Sequence, residues 1–85
     1  MTIREVLAEL DEEILLADGF DEALIGYAQR CGQPVLAVYD REKCIAVLMK
    51  DGISYEEADE YFEYNVVGSW VGERTPLFLC RPEAE

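Results

Sequence analysis

Carboxylates, thiols, tyrosines and arginines are the side chains that could carry chemistry in this 85-residue chain, because the sequence contains no histidine. That removes the usual general base near neutral pH, the Ser-His and Cys-His nucleophile pairs, and most metal sites. Carboxylate pairs such as Glu56 and Glu60, at i and i+4, can bind a hard cation or share a proton. On a helix such pairs are more often a solvated surface, and no EF-hand spacing is present. We predict no catalytic, metal or cofactor site.

The cysteines Cys31, Cys44 and Cys80 are odd in number and form no C-x-x-C pair, so neither a disulfide framework nor a zinc site is indicated. The simplest interpretation is three buried thiols in a reducing compartment. Cys31 is the best nucleophile candidate if its turn is exposed, because the nearby Arg30 favours the reactive thiolate. Without a base in view, we interpret Cys31 as structural and predict that the chain is not an enzyme.

Net charge limits the partners of the chain. Nineteen Asp and Glu residues against seven Lys and Arg give −12, which opposes direct contact with nucleic-acid phosphates. The same surplus favours a basic partner protein, with mere solubility as the alternative explanation. No stretch approaches the roughly 18 apolar residues of a membrane span, and no basic start precedes an apolar run. We therefore expect a soluble cytoplasmic protein with no direct contact to nucleic acid or membrane.

One compact domain over residues 1–80, followed by a disordered tail at 81–85, is expected to position these side chains. Apolar residues at helical spacing over the first dozen positions predict a helix with Thr2 as its N-cap and Glu5 completing a capping box. The apolar run at residues 14–17 predicts a strand that ends at a turn.

A hairpin is predicted next. Residues 35–39 have the strongest strand composition of the chain. Residues 22–30 are ambiguous between strand and helix, and the interior Gly26 favours the strand. If both segments are strands, they pair as a hairpin.

Two helices and a last strand complete the predicted domain. Asp40 is expected to cap one helix, and Ser54 to start another after a short turn. The buried face of the second helix is expected to contain Ala58, Tyr61, Phe62, Asn65 and Val66. Gly68 and Gly72 are expected to supply positive φ in the following turn, and residues 77–80 form the final strand.

The predicted interaction site lies in this second helix and the turn after it. Trp, Tyr and Arg are the residues that most often anchor interfaces. One interpretation places the Trp70 indole in the core beneath the helix, with Arg74 paired to Glu73 or to a helix carboxylate. The other is a binding loop or self-association patch, assisted by tyrosines of the helix. The candidate interaction residues are Glu56, Glu57, Glu60, Glu63, Tyr64, Trp70 and Arg74.

The segment SYEEADEYFEYNVVGSWVGERTPLF, residues 54–78, resembles a group of small, functionally uncharacterised proteins often encoded in tailed phage and prophage genomes. The similarity extends upstream, so that it covers about residues 18–79. The resemblance implies a phage protein made in the bacterial cytoplasm that acts on a host component. It assigns no functional residue.

The predicted fold class is α+β, a small antiparallel sheet of three to four strands with helices packed on one face. The leading predicted function is a non-enzymatic interaction protein that binds a basic surface on a host protein, in its sharpest form as a nucleic-acid mimic that inhibits a DNA-binding or defence protein. One alternative is a homodimeric structural or assembly protein. Another is a minimal enzyme or small-ligand binder, which requires a pocket of roughly 300 Å³ or more where Cys31, carboxylates or Arg74 converge.

Overall fold

The computed structural model describes residues 2–82 of the chain. Within them three α-helices and a three-stranded sheet form the predicted α+β fold. The elements in chain order are α1 (Ile3–Leu10), a 3₁₀ turn (Asp21–Ala23), β1 (Leu24–Ala28), β2 (Leu36–Asp40), α2 (Arg41–Met49), α3 (Tyr55–Phe62), a π-helical segment (Glu63–Val67) and β3 (Leu77–Leu79).

Each α-helix begins at the capping residue that the sequence predicts. The side-chain oxygens of Thr2, Asp40 and Ser54 accept backbone N–H groups from the first turns of α1, α2 and α3. These hydrogen bonds are 3.0 to 3.3 Å long and satisfy donors that have no partner within the helix. The turn between α2 and α3 contains Gly52 at φ +92°, so the two helices follow each other closely.

The sheet has the order β1-β2-β3, with β2 in the centre. β1 pairs with β2 in antiparallel orientation, which confirms the hairpin and settles residues 24–28 as a strand. β3 lies parallel to β2, with Phe78 beside Tyr39, so the expectation of a purely antiparallel sheet is wrong. The reason is the connection: α2 and α3 carry the chain back across the sheet, and such a helical crossover joins parallel strands.

Residues 14–17 are not a strand, contrary to the prediction. The amide of Ile14 donates to the Asp11 carbonyl at 3.2 Å, and the amide of Ala17 donates to the Tyr39 hydroxyl at 2.7 Å. Ile14, Leu16 and Ala17 pack against the core as an extended loop. The apolar run thus correctly indicated burial, but its amides find their partners in a turn and a side chain rather than in a neighbouring strand.

An aromatic cluster lies at the centre of the core. The Phe62 ring meets Phe20 edge-on at 6.0 Å and Phe78 edge-on at 5.1 Å between centroids. Tyr39 lies 5.8 Å from Phe78. All three centroid distances fall in the range that aromatic pairs favour. Phe62, fully buried, therefore fixes α3 to the sheet and to the loop before β1.

Only one of the three cysteines is buried, so the prediction of three buried thiols is wrong. Cys31 and Cys80 are exposed, the first in the hairpin turn and the second just beyond β3. Burial raises the pKa of the Cys44 thiol to about 12, and this thiol is therefore neutral at physiological pH.

The chain beyond β3 is held by an ion pair. The Arg81 guanidinium donates to the Asp40 carboxylate, whose side chain is only 3% exposed. Burial alone disfavours the charged form, but the bond from Arg81 and the amides of Lys43 and Glu42 outweigh it, so the pKa of Asp40 lies below its usual value. The ordered domain thus includes Arg81. Residues 83–85 of the predicted tail lie outside the described residues.

Candidate interaction surface

Helix α3 has a buried face and a charged outward face. Ala58 and Phe62, four residues apart, are fully buried. Glu56, Glu57 and Glu60 are exposed on the rest of the helix surface, and we call these three residues the acidic face. Within residues 2–82 no Lys or Arg nitrogen lies within 4 Å of their carboxylates. The structure thus places these three predicted site residues together, without a neutralising cation.

Glu63 belongs to a different set of charges. Arg41 of α2 donates to the Asp59 carboxylate and lies 3.6 Å from a Glu63 oxygen. Its guanidinium also lies 5.7 Å from the centre of the Phe62 ring. The hydrogen bond to Asp59 raises the pKa of Arg41, so the guanidinium remains charged. Glu63, although predicted as an interaction residue, therefore shares a cation that ties α3 to α2.

The helix widens after Phe62. The amide of Gly68 donates to the Glu63 carbonyl at 3.1 Å, the i to i+5 bond of a π-helix. Gly68 has φ −71°, so the prediction of positive φ is wrong there. Glycine suits this position for a different reason: the backbone passes so close to the Tyr64 carbonyl oxygen that a Cβ would lie 3.0 Å from it. Gly72 has φ +109°, as predicted.

Apolar side chains are exposed along the π-helical segment and the turn after it. Tyr64 is 87% exposed and Trp70 is 74% exposed. The interpretation of Trp70 as a core residue is therefore wrong. Val67 and Val71 are also exposed, and we call Tyr64, Val67, Trp70 and Val71 the aromatic surface. Exposed aromatic residues of this size are typical of contact surfaces.

Arg74, the last predicted interaction residue, forms ion pairs with carboxylates outside α3 and its turn. Its Nη1 donates to Asp11 Oδ2 at 2.6 Å, and its Nη2 lies 3.3 Å from a Glu13 oxygen. The prediction of a pair with Glu73 or with a helix carboxylate is wrong. The guanidinium lowers the pKa of Asp11, and the carboxylate in turn raises that of Arg74. Arg74 thus connects the turn that carries Trp70 to the residues that follow α1.

A cavity of about 420 Å³ lies beside the aromatic surface, between residues 15–20, the π-helical segment and residues 69–78. We call it the apolar pocket. Its apolar walls include Leu15, Leu16, Phe20, Val66, Val71 and Phe78. The sequence did not predict this pocket, because its walls come from three segments that meet only in the folded chain. The one signal in the sequence is the apolar run at residues 14–17, whose pattern predicts a strand instead.

The polar lining of the apolar pocket contains one charge. Asp18 is the only charged residue among the described residues that line it, and Asn65, Ser69 and Thr75 are neutral. Neither Cys31 nor Arg74 lines the pocket, so the groups that the enzyme alternative requires do not converge there. Among residues 2–82, no three Cys, Asp or Glu side chains are grouped so that they could hold a metal ion. None of the helices in that range has the length and apolarity to span a membrane.

No family model, curated protein or solved structure matches the chain. The resemblance to phage-encoded proteins therefore stays a prediction, and the surface itself carries the functional inference.

Proposed function

We propose that the chain is an interaction protein that binds a basic surface of a partner protein through the acidic face and the aromatic surface. One observation carries this proposal: three carboxylates of α3 have no cation in the described part of the chain, and Tyr64 and Trp70, four and ten residues beyond Glu60, are exposed. Tyr64 follows Glu60 by four residues, which places the two on neighbouring turns of the helical run.

The two surfaces supply different parts of recognition. Unpaired negative charge steers a positive partner and accelerates association, with a strong dependence on salt. Exposed aromatic side chains supply apolar contact, which contributes most of the affinity of an interface. A charged surface alone would give fast but weak binding, so the combination supports a specific partner.

Other carboxylates of the chain are also exposed. Glu5, Glu9 and Glu12, in and just after α1, have no cation partner among residues 2–82 either. What distinguishes the acidic face is that exposed aromatic side chains follow it within the same helical run and the turn after it. We therefore assign recognition to α3 and use the α1 carboxylates as its internal control.

The partner that best fits is a host protein that itself binds nucleic acid, in the bacterial cytoplasm. Carboxylates repeated along a helix can stand in for phosphates on such a basic surface. The resemblance to phage proteins favours this form of the proposal, in which the chain inhibits a host DNA-binding or defence protein as a nucleic-acid mimic.

Two charge-matched triple variants test the proposal. Glu56→Gln, Glu57→Gln and Glu60→Gln together remove the acidic face, while Glu5→Gln, Glu9→Gln and Glu12→Gln remove the same charge from the α1 region. Tagged proteins are used to capture partners from bacterial lysate at about 50 and 500 mM salt, because electrostatic association should largely vanish at the higher salt. We expect the wild type and the α1 variant to retain basic proteins at low salt and the α3 variant to lose them.

Equal loss in both triple variants would show that net charge, not the acidic face, is responsible. Retention of the same partner at high salt would contradict an electrostatic interface. For a captured partner, added duplex DNA should displace the chain competitively. Failure of DNA to compete would remove the nucleic-acid mimic while leaving the basic partner in place.

A second copy of the chain is the alternative partner. β3 lies at the edge of the sheet, and its Leu77 and Leu79 are exposed. An unpaired edge strand with apolar side chains is a template for pairing with another chain. Light scattering at micromolar concentration decides this, because a monomer of 9.7 kDa would contradict a homodimer.

A further inference from the structure

We propose that the apolar pocket receives one large apolar side chain of the basic partner, and that a Lys or Arg beside that side chain meets Asp18. The recognised feature would be a short segment with an apolar residue flanked by cations. This inference rests on the proposed function and adds to it the residue that anchors the partner.

The walls of the pocket are fixed by the fold. Phe20 belongs to the buried core, and Val66 and Phe78 pack directly against it. Phe78 is further held by edge-on contact with the fully buried Phe62. Because these three walls belong to the core or pack against it, that part of the cavity is formed before the partner arrives, and binding does not have to order it. Its 420 Å³ falls within the range of ligand pockets and leaves room for one large side chain and the backbone that carries it.

The charge of Asp18 selects a cation. Among the polar lining groups, the Asn65 amide already donates to the Tyr61 carbonyl at 3.2 Å, and the Thr75 hydroxyl donates to the Gly72 carbonyl at 2.6 Å. Asp18 is exposed, and within residues 2–82 its carboxylate has neither an ion pair nor a hydrogen bond. Arg74, the cation of the adjoining turn, is engaged by Asp11 and Glu13. A positive group from outside would therefore complement an apolar pocket with a single negative charge.

The apolar pocket and the acidic face share one helical run. The acidic face occupies α3, and Val66 in the π-helical segment forms part of the pocket wall. A basic partner that contacts both the outward side of α3 and the end of the run at Val66 would meet the carboxylates and the apolar cavity. Exposed charge pairs contribute little affinity by themselves, whereas a buried apolar anchor contributes most of it. The pocket thus supplies the buried apolar contact that the acidic face does not provide.

Three short peptides serve as probes: Ac-KKGFGKK-NH2, Ac-KKGAGKK-NH2 and Ac-EEGFGEE-NH2. Binding is followed by amide chemical shifts and by the fluorescence of Trp70, the one tryptophan of the chain, which lies between the lining residues Ser69 and Val71. We expect the basic phenylalanine peptide to bind about tenfold or more tightly than the basic alanine peptide, because a phenyl group is removed from water. We expect the amides of Val66 and Val71 to shift, and the acidic peptide to bind least.

Two substitutions locate the site. Ser69→Phe introduces a ring at an exposed lining position and should bring the phenylalanine peptide to the affinity of the alanine peptide. Asp18→Asn should weaken both basic peptides about two- to fivefold, as expected for a charge at the edge of a contact. Asp51→Asn is its matched control, because Asp51 also is exposed and also precedes a glycine of positive φ, yet does not line the pocket. Circular dichroism verifies the fold of each variant.

The outcomes separate this inference from the proposed function. Equal affinity for the two basic peptides would overturn the pocket inference and leave recognition of a basic surface intact. Equal effects of Asp18→Asn and Asp51→Asn on the basic peptides would overturn the role of Asp18. If neither basic peptide bound better than the acidic one, the proposed function would fail as well. Unchanged binding of the phenylalanine peptide by Ser69→Phe would overturn the location.

Discussion

Helix α3 and the π-helical segment that continues it form one unbroken helical run, yet they contribute differently to the molecule. α3 buries Ala58 and Phe62 completely, whereas no residue of the π-helical segment is buried. A π-helix has more residues per turn than an α-helix, and the row of fully buried positions ends at Phe62, since Val66 is only half-buried. Tyr64 is almost fully exposed. The difference indicates that α3 packs the core, whereas the π-helical segment leaves its tyrosine at the surface.

The largest expected effect is the loss of stability on removing an aromatic side chain from α3, compared with the same change in the π-helical segment. Phe62→Ala should lower the free energy of unfolding by about 3–5 kcal/mol, because it removes the ring at the centre of the core and leaves a cavity. Tyr64→Ala should change it by no more than about 0.5 kcal/mol, because the side chain is exposed. Urea unfolding followed by circular dichroism measures both.

For so small a domain, Phe62→Ala can abolish folding outright, and Phe62→Leu then provides the milder core variant. A loss for Tyr64→Ala as large as that for the core variant would break the comparison. It would show that the π-helical segment stabilises the domain as α3 does.

Glycine substitutions sharpen the comparison at the end of the π-helical segment. Gly68→Ala should destabilise the domain by about 1 kcal/mol, the lower end of the cost of overpacking, because the new methyl group would crowd the Tyr64 carbonyl at 3.0 Å. Gly26→Ala in β1 is the control, since nothing lies within 4 Å of its added Cβ. That variant should gain about 0.4–1 kcal/mol by restricting the unfolded chain.

Amide hydrogen exchange of residues 63–68 tests whether the crowding is relieved locally. Faster exchange confined to these residues is expected for Gly68→Ala. Equal stabilisation by the two alanines would mean that the carbonyl moves away freely, and would remove close approach as the reason for glycine at position 68.

The smallest effect concerns the turn that follows the π-helical segment, which Arg74 ties to Asp11. The pKa of Asp11 is lowered in the folded protein by the hydrogen bond from Arg74, so the pair stabilises the fold above the pKa of the unfolded chain. This contribution is lost as the pH falls below about 4, through the folded value. In Arg74→Met the pKa of Asp11 should rise, and the loss of stability in acid should become shallower.

Carboxyl NMR titration of Asp11 measures the first change, and urea midpoints at neutral and acidic pH measure the second. The Glu73→Gln variant is the matched control, because Glu73 is exposed in the same turn and is not paired with Arg74 in the structure. An unchanged pKa of Asp11 in Arg74→Met would show that the turn is held by other contacts.

Features set by neighbouring residues could be predicted from the sequence. Thr2, Asp40 and Ser54 cap helices through oxygens that reach amides only two or three residues away. Features set by distant contacts could not. Arg74 pairs with Asp11, which is 63 positions away in the sequence, and Arg41 pairs with Asp59, which is 18 positions away. The parallel course of β3 and the loop at residues 14–17 likewise depend on how separate segments meet.

The candidate interaction surface likewise has parts that local spacing predicts and parts that depend on distant contacts. The exposure of Glu56, Glu57 and Glu60 follows from helical spacing against Ala58 and Phe62, and so the acidic face was found from the sequence. Tyr61 and Asn65 were expected on the buried face and are exposed. Tyr61 lies within α3, to one side of the row that Ala58 and Phe62 bury, whereas Asn65 lies in the π-helical segment, where the α-helical period does not continue. Asn65 and Val66 of that segment line the apolar pocket.

The bond from Arg81 to Asp40 marks where the chain can be shortened. A fragment that stops at Cys80 would leave a carboxylate with 3% exposure enclosed by protein and deprived of its cation. Since that carboxylate also holds the first turn of α2, the damage would spread from the chain end to the middle of the domain. We therefore expect a fragment that ends at Arg81 to be more stable than one that stops at Cys80, and a fusion partner or affinity handle at this end to be tolerated best beyond Pro82.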